Sequence, residues 1–130
     1  MYSRRATGSA GTMVGPAILA LTLVLSAATP LAAAEDFFSY SHKAAGERET
    51  ETKIAYWTEA IGIWTTEAGE FALSRAYFNR GTALARSGLT NKAIEDYDRA
   101  IELDRRFAKA YNNRGIIRWN SGDREGAITD

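Results

Sequence analysis

The sequence predicts an all-α fold of stacked antiparallel helical hairpins, an α-solenoid, preceded by a signal peptide. The strongest observation is an internal repeat, because the hexapeptide AYFNRG at residues 76–81 returns 34 residues later as AYNNRG at residues 110–115. Ser87-Gly88 returns at the same distance as Ser121-Gly122. A period of 34 residues is typical of helical hairpins that bury a hydrophobic core only by stacking on their neighbours.

The predicted signal peptide occupies residues 1–34. Two arginines near the N-terminus, an apolar run at residues 17–25 and small residues up to Ala34 follow one another in the order found in exported proteins. We therefore expect cleavage after Ala34 and a secreted or periplasmic protein. The alternative is an uncleaved membrane anchor, although the apolar run is shorter than the ~20 residues that a membrane-spanning helix needs.

Composition restricts the functions open to the mature chain. The sequence contains no cysteine, so neither a disulfide nor a lipid-modified cysteine is available to it. Residues 35–130 carry 14 basic and 16 acidic side chains, a net charge of −2, which argues against general binding to nucleic acid. The single histidine, His42, rules out a histidine-rich metal site, and we predict no cofactor.

The first hairpin of the mature chain is predicted to be degenerate. Within residues 35–73, Trp57 and Ala60 fall at the spacing of the later repeats, but six extra residues in the stretch 62–73 break the register. We interpret that stretch as an extended linker. The charged segment at residues 47–53 is interpreted as a solvated helix face or loop.

The best-defined hairpin spans residues 74–107, and a truncated copy follows at residues 108–130. Apolar and small residues recur at helical spacing in its first helix, and Ser87-Gly88 ends that helix, since glycine is the usual residue beyond a helix C-terminus. The residues predicted to pack the two copies are Tyr77, Gly81, Leu84, Ala93, Tyr97, Ala100, Tyr111, Gly115 and Ala127. The second copy stops one residue before its expected aromatic, so we expect either a fragment of a longer protein or a frayed last turn.

In these residues the chain resembles the tetratricopeptide repeat family, and its asparagine-arginine-glycine form of the motif is similar to that of bacterial members. The resemblance implies that small residues let the two helices of a hairpin approach closely, while aromatic residues fill the space between layers. The departures from the family pattern are Arg80 and Arg114 for a leucine, Arg118 for a tyrosine and Arg105 for a proline.

The resemblance also implies a binding groove lined by the first helix of each hairpin. By position, the residues that face it are Arg75, Phe78, Asn79, Thr82, Arg86, Lys109, Asn112, Asn113, Ile116 and Trp119. Arginine and lysine bind carboxylates and asparagine pairs with an extended backbone, so an acidic or carboxylate-ended protein segment is the expected partner. The alternative is that Trp119 packs under a further C-terminal portion and that the asparagines bridge neighbouring hairpins.

The sequence contains no recognisable catalytic constellation. Glu95, Asp96 and Asp98 lie on different faces of a predicted helix, and no serine has a histidine at motif spacing. We therefore expect an exported, non-enzymatic scaffold or adaptor that binds a peptide or protein segment in its groove. The alternative is a structural docking or oligomerisation unit of a longer chain whose activity lies elsewhere.

Overall fold

The computed structural model describes residues 30–130, and every regular element in that range is helical, so the all-α prediction is confirmed. The helices are α1 (Pro30–Gly46), α2 (Thr50–Gly62), α3 (Glu70–Arg86), α4 (Thr90–Leu103), α5 (Ala108–Asn120) and α6 (Arg124–Thr129), with one 3-10 turn at Thr66–Ala68. Each helix packs mainly on its neighbours in chain order. Residues 1–29 of the predicted signal peptide lie outside the described range, and residues 30–34 form the start of α1.

Pairing of successive helices produces three hairpins, α1–α2, α3–α4 and α5–α6. Helix α1 ends at residue 46 and helix α3 at residue 86, a shift of 40. Helices α2 and α4 begin at residues 50 and 90, which is the same shift. The first two hairpins are therefore equivalent at an offset of 40, six more than the 34-residue period that relates the second hairpin to the third.

The connection between α2 and α3 is folded rather than extended. The 3-10 turn and an additional first turn of α3 take up the insertion, so α3 begins four residues before the predicted boundary at residue 74. Gly69 ends the connection with a φ of 83°, a left-handed conformation that favours glycine. The indole Nε1 of Trp64 donates a hydrogen bond to the Gly69 carbonyl at 3.1 Å, which closes the connection on itself.

The turns inside the second and third hairpins share one geometry. After α3, the amide of Gly88 donates to the carbonyl of Ala85 at 3.1 Å, and that of Leu89 donates to Leu84 at 2.9 Å. Gly88 has a φ of 76° and Gly122, at the equivalent position, a φ of 91°. The repeated serine-glycine pair is therefore a Schellman stop, which satisfies the last carbonyls of the helix.

The first hairpin turns in a different way. The carboxylate of Glu47 accepts the backbone N–H of Arg48 at 2.7 Å and that of Glu49 at 2.9 Å. The bond from Glu49, followed by the bond from Arg48, lowers the pKa of the Glu47 carboxyl below its usual range. At an offset of 40, Arg48 takes the position of Gly88, so this turn presents a cation where the second hairpin presents a glycine.

Helices α3 and α4 come very close to each other at Gly81. A Cβ atom added to Gly81 would lie 3.1 Å from the Cβ of Asp96 and 3.1 Å from Cε1 of Tyr97. Ala93 and Ala100 on α4 are completely buried. Because these side chains are small, the axes of α3 and α4 can come close together, and the two helices pack without a void between them.

The hydrophobic core forms two clusters, one at each junction between hairpins. The first contains Phe37 and Trp57 together with Ala76 of α3, and the second contains Tyr97 together with Ala110 of α5. The two alanines stand 34 residues apart and are both completely buried. The second and third hairpins therefore each pack an alanine of their first helix against the preceding hairpin.

The arginines that depart from the repeat pattern form ion pairs across the hairpins. Arg80 donates from Nε and Nη2 to the two carboxylate oxygens of Asp96 at 2.8 and 2.7 Å. Arg114 makes the equivalent two-pronged pair with Asp130, which also lies 16 residues later in the sequence. The hydrogen bond with the carboxylate raises the pKa of each guanidinium above its usual value, so both arginines stay charged.

The same arginines reach across to the preceding hairpin. Arg80 Nη1 lies 3.4 Å from the hydroxyl oxygen of Thr58 on α2, and Arg114 donates to Asp98 on α4. Thr58 and Asp98 are equivalent at the offset of 40. A side chain that breaks the family pattern thus joins the helices within a hairpin and also joins one hairpin to the next.

Candidate functional site

Two adjoining cavities run along one side of the helices α1, α3 and α5. The first, of about 300 Å³, is lined in part by Asn79, Thr82 and Arg86 of α3. The second, of about 280 Å³, is lined by Thr82 and Arg86 again and by Asn113 and Ile116 of α5. Because Thr82 and Arg86 line both cavities, we treat them as one surface and call these five residues the groove.

Hydrogen bonds link the polar side chains of the groove to the packing beneath it. The Thr82 hydroxyl donates to the Phe78 carbonyl at 2.9 Å and lies 3.3 Å from the hydroxyl oxygen of Tyr97. The Asn113 amide nitrogen lies 3.5 Å from the same tyrosine oxygen. Asn113 therefore bridges neighbouring hairpins by a long hydrogen bond while its remaining polar capacity faces the groove.

Phe78 was predicted to contact a ligand; it is half-buried and lines neither cavity of the groove. Its ring centroid lies 4.7 Å from that of Phe107 and 5.8 Å from that of Tyr97. Both neighbours belong to the junction between the second and third hairpins. One part of the Phe78 side chain therefore packs at this junction, and the rest stays accessible to solvent.

Arg75 and Lys109 were predicted as polar contacts and are exposed, but they line neither cavity of the groove. The guanidinium of Arg75 lies 5.7 Å from the centroid of the exposed Phe71 ring, a cation–π contact. These two cations therefore belong to the surroundings of the groove rather than to its lining.

Asn112, Ile116 and Trp119 meet on the outer face of the third hairpin. They line a further cavity of about 640 Å³, and the Trp119 side chain is 55% exposed. Only Ile116 also reaches the groove. Seven of the ten predicted binding residues therefore lie on two surfaces, the groove and this outer face, and Arg75, Phe78 and Lys109 lie on neither.

Two cations beside the groove were missed by sequence reasoning. Arg48 and Lys53, in the turn of the first hairpin and at the start of α2, line the 300 Å³ cavity beside Arg86. They belong to a charged segment of mixed sign, and the six-residue insertion hides their register. The offset of 40 between the first two hairpins is the signal that would have placed them against α3.

The described residues contain few features of other functional classes. Within residues 30–130, no three side chains of the metal-ligating types come together. No helix in this range has both the length and the apolar character needed to cross a bilayer.

Comparison with known proteins agrees with the repeated helical hairpins of the structure. Residues 74–107 match the family model of the tetratricopeptide repeat. Over 101 residues the chain is 30% identical to the heat-shock protein cognate (HSC) co-chaperone sgt12 of Aspergillus fumigatus. Over 85 residues it is 34% identical to DnaJ homolog subfamily C member 7 of Homo sapiens.

These alignments cover 78% and 64% of this chain but 28% and 17% of the two relatives. The chain thus spans less than a third of the length of either protein. The family match and the co-chaperone relative together indicate a protein–protein interaction module.

Proposed function

We propose that this chain, whose residues 74–107 belong to the tetratricopeptide repeat family, is an exported adaptor that holds a segment of a partner protein in the groove. The observation that carries the proposal is the continuity of the two cavities through Thr82 and Arg86. A continuous surface along successive hairpins suits an extended segment better than a small compact ligand.

The chemistry of the groove favours a peptide backbone. Asn79 and Asn113 each carry an amide that both donates and accepts hydrogen bonds, which is what an extended main chain requires. Ile116 is 52% exposed and offers an apolar contact beside Asn113. Amide contacts to the main chain supply affinity without demanding one particular sequence, so side-chain selectivity must come from other residues of the groove.

The expected partner segment is acidic. The groove contains Arg86 and lies beside Arg48 and Lys53, whereas residues 35–130 as a whole carry a net charge of −2. Opposite charge attracts the segment and is screened by salt over a Debye length of about 8 Å at physiological ionic strength. Binding should therefore weaken as the salt concentration rises.

Export is the second part of the proposal and rests on the leader pattern in residues 1–34. An exported adaptor would meet its partner outside the cytoplasm, either in the periplasm or beyond it. Envelope extract is therefore the appropriate source from which to recover a partner.

The test begins with a pull-down from envelope extract, identification of the partner and its purification. The binding constant is then measured for the wild type and for the double variant Asn79→Asp/Asn113→Asp, which keeps side-chain shape and adds two negative charges. We expect at least a tenfold loss of affinity, about 1.4 kcal/mol. Arg99→Asp, on the exposed side of α4, changes net charge by the same amount and should leave binding unaltered.

A docking or oligomerisation unit of a longer chain is the alternative function. It draws support from the outer face of the third hairpin, where Trp119 and Ile128 are 55% and 79% exposed. If Trp119→Asp abolishes partner binding while the asparagine double variant retains it, the outer face is the interaction surface and the groove proposal is wrong.

A further inference from the structure

Three cations converge at the end of the groove that lies next to the hairpin turns. Arg48 comes from the first turn, Lys53 from the start of α2 and Arg86 from the last turn of α3, and all three line the 300 Å³ cavity. Trp57 and Ala83, which are 6% and 2% exposed, form an apolar part of the lining. We call this cavity the cationic pocket.

No carboxylate of residues 30–130 lines the cationic pocket. Among the described residues, no carboxylate oxygen lies within 4.0 Å of a side-chain nitrogen of Arg48, Lys53 or Arg86. Residues 1–29 contain no acidic side chain that could supply one. The nearby Glu47 carboxylate is engaged by two backbone N–H groups of the turn.

The cations of the pocket differ in this respect from the three arginines that join the helices of the second and third hairpins. Arg80, Arg114 and Arg118 each hold a carboxylate within the fold. Like charges that are held together without a partner repel one another, so an incoming anion relieves that repulsion and gains charge-assisted hydrogen bonds. Arginine forks also suit the planar carboxylate in particular.

We infer that the cationic pocket binds the side-chain carboxylate of an acidic residue within the partner segment, an inference that rests on the proposed function of the groove. The surface continues on both sides of the pocket. On α5 it continues to Asn113 and Ile116, and on α1 the exposed side chains of Phe38 and His42 share a helix face with Ala45, which lines the pocket. A segment that passes through presents a side chain to the pocket, not its terminal carboxylate.

The experiment uses the 130-residue chain and three synthetic peptides labelled with fluorescein. The first is C-terminally amidated with two central glutamates, the second has glutamines in their place, and the third keeps the glutamines but ends in a free carboxylate. Fluorescence anisotropy titrations give the dissociation constants. We expect the glutamate peptide to bind at least about tenfold more tightly than either of the others, as expected for the loss of a charge-assisted hydrogen bond.

Variants locate the binding. Lys53→Gln and Arg86→Gln should each weaken binding of the glutamate peptide about tenfold, whereas Lys53→Arg should preserve it. Arg99→Gln removes one positive charge from the exposed side of α4 and is the matched control. Thermal melting by circular dichroism verifies that each variant is folded, and Lys53→Arg guards against a loss caused by packing.

Three results would overturn the inference. They are equal binding of the glutamate and glutamine peptides, preference for the free terminal carboxylate, and unchanged binding by both Lys53→Gln and Arg86→Gln. None of them decides whether the groove holds a partner segment, a proposal that fails if the asparagine double variant keeps the natural partner. If the asparagine double variant loses the natural partner and Arg86→Gln has no effect on binding, the groove proposal stands and the inference about the cationic pocket is wrong.

Discussion

At Gly81 the backbone of α3 leaves no room for a side chain against α4. A Cβ there meets Asp96 and Tyr97 at 3.1 Å, so we expect Gly81→Leu to lower the free energy of unfolding by roughly 1–3 kcal/mol. Gly88→Ala should be milder, about 1 kcal/mol, because it strains only a φ of 76°. Urea unfolding followed by circular dichroism measures both. Gly46→Ala, with no atom within 4 Å of the added Cβ, is the control, and a wild-type stability for Gly81→Leu would contradict the close contact.

The ion pair between Arg80 and Asp96 is the second residue-scale test. Asp96 is 4% exposed, and removal of Arg80 leaves a buried carboxylate without its partner. We expect Arg80→Ala to destabilise the protein by about 2–4 kcal/mol, toward the lower end of that range because the Arg80 side chain is 20% exposed. Arg99→Ala breaks an exposed pair with Glu102 and should change stability by less than about 0.5 kcal/mol. If the two substitutions change the free energy of unfolding equally, the buried ion pair does not stabilise the protein more than the exposed one.

Among the helices, α6 should be the least protected of the described elements. It has six residues and none of them is buried, whereas α4 has 14 residues and buries five. Isolated short helices are marginal in water, and contact with α5 is its main support. In native-state hydrogen exchange, amides of residues 123–130 should therefore exchange much faster than those of residues 93–101.

The Asp130 carboxylate is the feature that would slow hydrogen exchange in residues 123–130. It is held by Arg114 and Arg118, and its side chain is 2% exposed. If residues 123–130 prove as protected as α4, these ion pairs fix the C-terminal turn, and a variant Asp130→Asn should restore fast exchange.

Helix positions in the second and third hairpins were predictable, because glycine, serine and alanine landmarks repeat at a fixed distance. The connection between α2 and α3 was not, since a left-handed Gly69 and a tryptophan-to-backbone hydrogen bond have no period to reveal them. The asparagines of the groove followed from the family pattern. Arg48 and Lys53 did not, because their placement depends on how the first hairpin stacks on α3 rather than on local sequence.

For the whole molecule, processing of the leader is the open prediction. Cleavage after Ala34 would leave Glu35 and Asp36 in the first turn of a shortened α1, where negative charge stabilises a helix. It would also remove Ala34, which is 5% exposed in the first core cluster. We expect intact-mass measurement on exported protein to give residues 35–130. A mass that begins at Met1, with the protein in the membrane fraction, would contradict export by cleavage.

The two-way contacts of Arg80 and Arg114 have a consequence for how such a chain can grow. A copy of residues 74–107 inserted after Phe107 would bring its own ion pair across the hairpin. The copy of Arg80 would stand at position 114, and it could therefore make the contact with Asp98 that Arg114 makes now. Duplication of one coding segment thus reproduces the contact between neighbouring hairpins without any compensating substitution. Gene duplication, or a designer, can lengthen this protein by whole units, and the first test is whether the lengthened chain melts at a higher temperature.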